Sequence, residues 1–164
     1  MSDPVNDHDD HNPYEDAMVA YDRGHLNKAF KLFLAGAQAA DVDCMAMVAV
    51  MYGAGEGVRI DLHQSIEWDQ KAIAAGSELA FLNLAITYRC MGDLVSARHW
   101  FERALESGDG EAALHLAKLY MVSDLEAATV SKYLHAAIDS KNAFEDTKME
   151  ARQLLVLHGP QGGG

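Results

Sequence analysis

Between Tyr14 and Gly159 the apolar residues recur at three- and four-residue spacings and do not alternate, which is the period of amphipathic helices. Residues 27–40 show it well: Ala29, Phe30, Leu32, Phe33, Gly36 and Ala37 fall on one side of a helix. Upstream, Asn12, Pro13 and Glu15 form a start signal. Asn12 suits the cap, Pro13 the first helical position and Glu15 a capping box, so a helix is predicted over 13–23, stopped by Gly24. Near the other end, Asn142 and Glu145 form a second capping box. It opens a last helix to about residue 158, with Met149, Leu154, Leu155 and Leu157 available to cover whatever precedes it.

The helical pattern repeats. A small residue stands early in each second helix, at Ala29, Ser65, Ala97 and Thr129. Seven positions on stand Gly36, Ala72, Ala104 and Ala136, and eleven positions on stand Ala40, Gly76, Gly108 and Ser140. Tyr52, Tyr88 and Tyr120 follow twelve positions after the first three of these, and Trp68 and Trp100 share one position. Small residues on facing ridges let antiparallel helices approach, while aromatic residues wedge between neighbouring pairs. The fold predicted is all-α: an α-solenoid of about four antiparallel helix pairs plus a C-terminal capping helix, over residues 12–158. A disordered acidic tail (1–11) and a disordered Gly-rich tail (159–164) flank it.

The first repeat interval is 36 residues and the next two are 32, the excess lying in the loop 53–61, GAGEGVRID. Its G-x-G-x-G would suit a phosphate only between a strand and a helix. Here the loop leaves a helix, so its glycines are read as left-handed turn residues, with Asp61 capping the next helix and Gln64 three positions on.

Tyr52, the glycine-rich loop with Gly57-Val58, Ser65, Trp68, Ala72 and Gly76 together resemble a Sel1-like repeat. Tyr88, Gly92, Ala97, Phe101 and Ala104 resemble the related tetratricopeptide repeat. The first unit keeps Gly24 and Ala29, but Tyr21 sits one residue too close; the fourth departs further, with Asp124, Thr129 and Lys132 in place of glycine, alanine and tryptophan. The resemblance implies a superhelix whose concave face, lined by first helices, binds a protein or peptide. By position from each tyrosine, that face would carry Val50, Leu82, Asn83, Ile86, Arg89, Leu114, His115, Lys118 and Met121. The leucines suit the inter-helix core equally well.

Charge narrows the partner. A formal net charge of −12 repels nucleic acid and anionic membranes and favours a partner with a basic surface. Arg89 and Lys118 would then be two cations sharing one face of an acidic protein. No apolar run is long enough to span a membrane and the N-terminus lacks a secretory pattern, so a cytoplasmic location is expected. Cys44 and Cys90 have no zinc or redox spacing, and the histidines follow no catalytic motif. Neither a metal, a cofactor nor a catalytic set is expected. What remains is binding: an interaction module acting as an immunity protein or chaperone for a bacterial toxin or effector, or alternatively a scaffold or regulatory adaptor, as a monomer or weak homodimer.

Overall fold

A computed structural model describes residues 12–122 and 127–158. The two tails assigned from sequence, and Asp124, lie outside the described residues. Among the described residues four helix pairs pack in chain order: α1 (Pro13–Asp22) with α2 (Leu26–Gln38), α3 (Val42–Ala54) with α4 (Leu62–Ala74), α5 (Leu79–Cys90) with α6 (Leu94–Glu106), and α7 (Gly110–Val122) with α8 (Ala127–Asp139). A ninth helix, α9 (Glu145–His158), packs on α8 and touches α7. Each pair stacks on the next through α2 and α3, α4 and α5, and α6 and α7. On the first-helix side α3 also reaches α5 and α7 reaches α9, whereas no two second helices make comparable contact among the described residues.

Short polar side chains start the helices. Asn12 accepts from the Tyr14 amide at 3.0 Å, Asp41 from Cys44 at 2.8 Å, Asp61 from His63 and Gln64 at 3.1 Å, and Asp93 from Ser96 at 3.0 Å. Each satisfies an amide that the first turn leaves without a partner.

The positions Ala40, Gly76 and Gly108 are small for a different reason than helix approach. All three adopt left-handed backbone, with φ of 68°, 98° and 95°. A Cβ added to Gly76 would meet nothing within 4 Å. Turn conformation selects glycine there, and Ala40 bears the left-handed strain. Gly36 does serve packing: a Cβ on it would lie 2.5 Å from Cys44 Sγ, so it admits α3 against α2.

In the loop 53–61, Gly55 (φ 73°) ends α3 and Gly57 (φ 70°) makes a left-handed turn as expected, but Gly53 is helical. A Cβ on Gly57 would run into the Leu26 carbonyl, so the loop lies back across the start of α2. Tyr21, the tyrosine out of register, donates its hydroxyl to Glu56 of this loop at 2.6 Å.

The fourth repeat is offset by one residue from the expected register. In α8 the buried positions are Val130, Leu134 and Ala137, while Thr129 and Ala136 are only half-buried. The aromatic counterpart of Trp68 and Trp100 is thus Tyr133, not Lys132. Tyr133 stacks on Tyr120 with centroids 5.4 Å apart.

The start of α9 also differs from expectation. Asn142 does not cap it; its amide donates to the Gly108 carbonyl at 2.9 Å. Glu111, on α7, accepts from the Phe144 amide at 2.8 Å and from the Thr147 hydroxyl. Ala151, Leu154 and Leu155 cover the last pair, whereas Met149 and Leu157 face outward.

One register runs through the core. Phe33, Phe101 and Leu134 stand one helical turn after Ala29, Ala97 and Val130, and each is fully buried. In α4 the same position holds Asp69, also 0% exposed.

Candidate functional site

The first helices place the expected concave-face residues in two groups. Val50 (α3), Asn83 and Ile86 (both α5) meet around one cavity. Arg89 (α5), His115 and Lys118 (both α7) meet in a charged cluster further along. Leu82, packed against the α5–α7 core, and Met121, against the α7–α9 core, are half-buried. Leu114 belongs to neither group. It is only 4% exposed, packed in the α7–α9 core, because the helix turn carrying it faces α8 and α9.

In the charged cluster, Arg89 Nη1 lies 3.1 Å from His115 Nδ1. A guanidinium has only donors, so Nδ1 accepts and the imidazole is neutral. Burial first, then the nearby Arg89 and Lys118 charges, push the His115 pKa down to about 4. The ring stacks on Phe101 at 5.0 Å, and the Arg89 guanidinium lies 5.9 Å from the same Phe101 ring. Arg89 is thereby held against a rigid aromatic base. Lys118 is different: its Nζ is 2.8 Å from Glu150 on α9, which offsets its charge locally.

The cavity between α3, α4 and α5 has a volume of about 250 Å³. Val50, Ala54, Leu62 and Ile86 supply apolar wall, and exposed Cys90 borders it. Its polar lining is Ser65, Asn83 and Thr87. The Ser65 and Thr87 hydroxyls are 3.1 Å apart, and Thr87 donates to the Asn83 carbonyl at 3.1 Å. A Cβ on Gly53 would lie 3.2 Å from Ser65 Oγ, so a larger residue there would press on the Ser65 hydroxyl.

One turn beyond Ser65 on α4 lies Asp69. Neither carboxylate oxygen completes a hydrogen bond, although the Asn83 side chain is the one group that favours its charged form. Desolvation outweighs that help and raises the Asp69 pKa to about 8. Ser65, Asp69 and Thr87 were not foreseen as site residues. The signal was present: aligned by the repeat, Asp69 falls in register with Phe33 and Phe101, a carboxylate in a column of phenylalanines.

Among the described residues no three His, Cys, Asp or Glu side chains converge as a metal site, and no helix is long and apolar enough to cross a membrane.

No protein-family model matches the chain, and no curated protein matches it. Solved structures do match in fold. A Sel1 repeat protein from Oxalobacter formigenes superposes with a TM-score of 0.69 at 16% identity, covering 93% of this chain and 71% of its own. A protective antigen present in uropathogenic Escherichia coli strains, displaying an SLR fold, gives 0.62 at 21% identity over 84% of this chain. The present chain spans 30% of that antigen's length. MamA gives 0.64 at 15% identity, covering 87% of this chain and 89% of its own. The chain has the fold of Sel1-like repeat proteins.

Proposed function

We propose that this chain is a protein–protein interaction module that takes a partner protein or peptide on its concave first-helix face. The observation that carries the reading is the pre-set Arg89, braced by neutral His115 over the Phe101 ring and flanked by the cavity of Val50, Asn83 and Ile86. An exposed arginine pays rotamer entropy to bind; one already held loses less. Around it, half-buried Leu82 and Met121 offer apolar anchoring, and the overall charge of −12 favours a partner with a basic surface. Leu114 takes no part because it is buried, and Lys118 contributes mainly through its pair with Glu150.

Within the class, the net charge of −12 is in keeping with an immunity protein or chaperone for a basic bacterial toxin or effector, with a scaffold or adaptor as the alternative. Affinity capture from native lysate with mass spectrometry tests this. One partner in one-to-one ratio is expected, and Arg89→Ala should lose it with the melting temperature unchanged. Capture indifferent to Arg89 would overturn the concave-face reading; a broad set of Arg89-dependent partners would favour the adaptor role.

A further inference from the structure

The column of Phe33, Phe101 and Leu134 fills the centre of the first, third and fourth helix pairs, and Asp69 breaks it in the second. The substitution is paired. Asp69 and Asn83 stand 32 residues before Phe101 and His115, which stack on each other. Ser65 and Thr87 stand 32 before Ala97 and Leu119, both buried and apolar. A whole polar seam has replaced an apolar one, and a cavity opens beside it. A carboxylate with no completed hydrogen bond is costly to bury, and the help of the nearby Asn83 side chain does not offset the desolvation.

The hydrogen bonds fix what the seam offers. Thr87 spends its proton on the Asn83 carbonyl, so the Ser65 hydroxyl must donate to Thr87 Oγ1. Ser65 Oγ is left as an acceptor. An ammonium entering the cavity favours the ionised, acceptor-only form of Asp69, to which the Asn83 amide nitrogen can then turn, leaving Asn83 Oδ1 for the cavity side. Acceptors on one side of an otherwise apolar cavity of about 250 Å³ call for a ligand with a donor head on an apolar stem.

We infer that this cavity takes a lysine side chain of the partner, its stem along Val50 and Ile86 and its ammonium on Ser65 Oγ and Asn83 Oδ1, with Asp69 behind as the positioning counter-charge. Three donors on a point charge suit acceptors spread over α4 and α5, whereas a planar guanidinium needs two acceptors side by side. An acidic protein drawing a basic partner supplies such lysines. The inference rests on the concave-face reading, since Val50, Asn83 and Ile86 belong to that face, but it is tested without a partner.

Nα-acetyl-lysine methylamide, its norleucine analogue and its arginine analogue are titrated into the ¹⁵N-labelled full chain and followed by NMR. The lysine probe should shift the Asn83 side-chain amide and the Thr87 amide at concentrations about tenfold below norleucine, the effect of one charge-assisted hydrogen bond. Asp69→Asn should reduce lysine to the norleucine level while norleucine binding persists, showing that the cavity is intact. Equal binding of lysine and norleucine, tighter binding of arginine, an undiminished preference in Asp69→Asn, or no response to any probe would each overturn the inference. Probe failure beside intact Arg89-dependent capture refutes the lysine cavity alone; lost capture beside intact probe binding refutes the reading of the Arg89 cluster.

Discussion

The seam of α3, α4 and α5 and the seam of α5, α6 and α7 follow one backbone plan and solve it with opposite chemistry. In the later seam Phe101 fills the centre, stacks on His115 and supports Arg89. In the earlier one Asp69 and Asn83 occupy the equivalent places, with Ser65 and Thr87 where Ala97 and Leu119 stand. The repeat tolerates both because each pair is also held by its neighbours and by its turns. An apolar centre yields a rigid platform for a surface cation. A polar centre yields a cavity and a carboxylate whose cost the stack as a whole must carry.

The most damaging way to break the contrast is to copy the polar centre into the later seam. Phe101→Asp should lower unfolding free energy by about 4 kcal/mol or more, from lost burial and a cavity, measured by denaturant titration. Loss of the Arg89–His115 geometry should follow, because Phe101 is their base. A cost below about 1 kcal/mol would mean that the two seams are interchangeable.

The reverse exchange comes next. An unfolded aspartate titrates near 3.9, and burial pushes the Asp69 pKa of the folded chain up to about 8 by disfavouring its charge. Between those values the folded chain keeps a proton that the unfolded chain has lost. Stability attributable to Asp69 should thus be full below the lower value, fall as pH rises through the window, and level off above the upper one. The slope is at most about 1.4 kcal/mol per pH unit. Asp69→Leu, matching Leu134, should remove this slope and raise stability at pH 8 by roughly 2–4 kcal/mol. Urea titrations of both proteins at a series of pH values check it, and an unchanged slope in Asp69→Leu would assign it elsewhere.

The smallest effect concerns the turns that lead into each seam. Gly76 and Gly108 make left-handed turns that glycine adopts freely, but before α3 the same turn is made by Ala40 at φ 68°. Ala40→Gly should stabilise the chain by about 1 kcal/mol, and Gly76→Ala should destabilise it by a similar amount. Thermal melts of the two variants should move in opposite directions.

Much of the fold was legible because repetition multiplies weak signals. The columns of Ala29, Ser65 and Ala97 and of Tyr52, Tyr88 and Tyr120 are read directly from spacing, and Asp61 and Asn12 act as caps where their positions place them. Legibility ended where a residue's partner lay in another repeat. Asn142 had a local capping signature, yet Glu111, more than thirty residues away, took the role. The one-residue offset of α8 was hidden because Thr129 and Ala136 are as small as the true core positions require. Only burial separates them from Val130 and Ala137.

At the site the division is sharper. The sequence by itself determined the helical repeat, the first-helix positions of Arg89 and His115, and the presence of Asp69 in a column of large apolar residues. Periodicity and chain order suffice for such facts, since they concern neighbours along one helix. Only the tertiary structure decided that Leu114 is core while Arg89 rests on His115, that Lys118 is engaged by Glu150, and that Asp69 has no partner beside an open cavity. Those outcomes depend on how helices distant in sequence approach, and on whether the space between them is filled. Packing sets both.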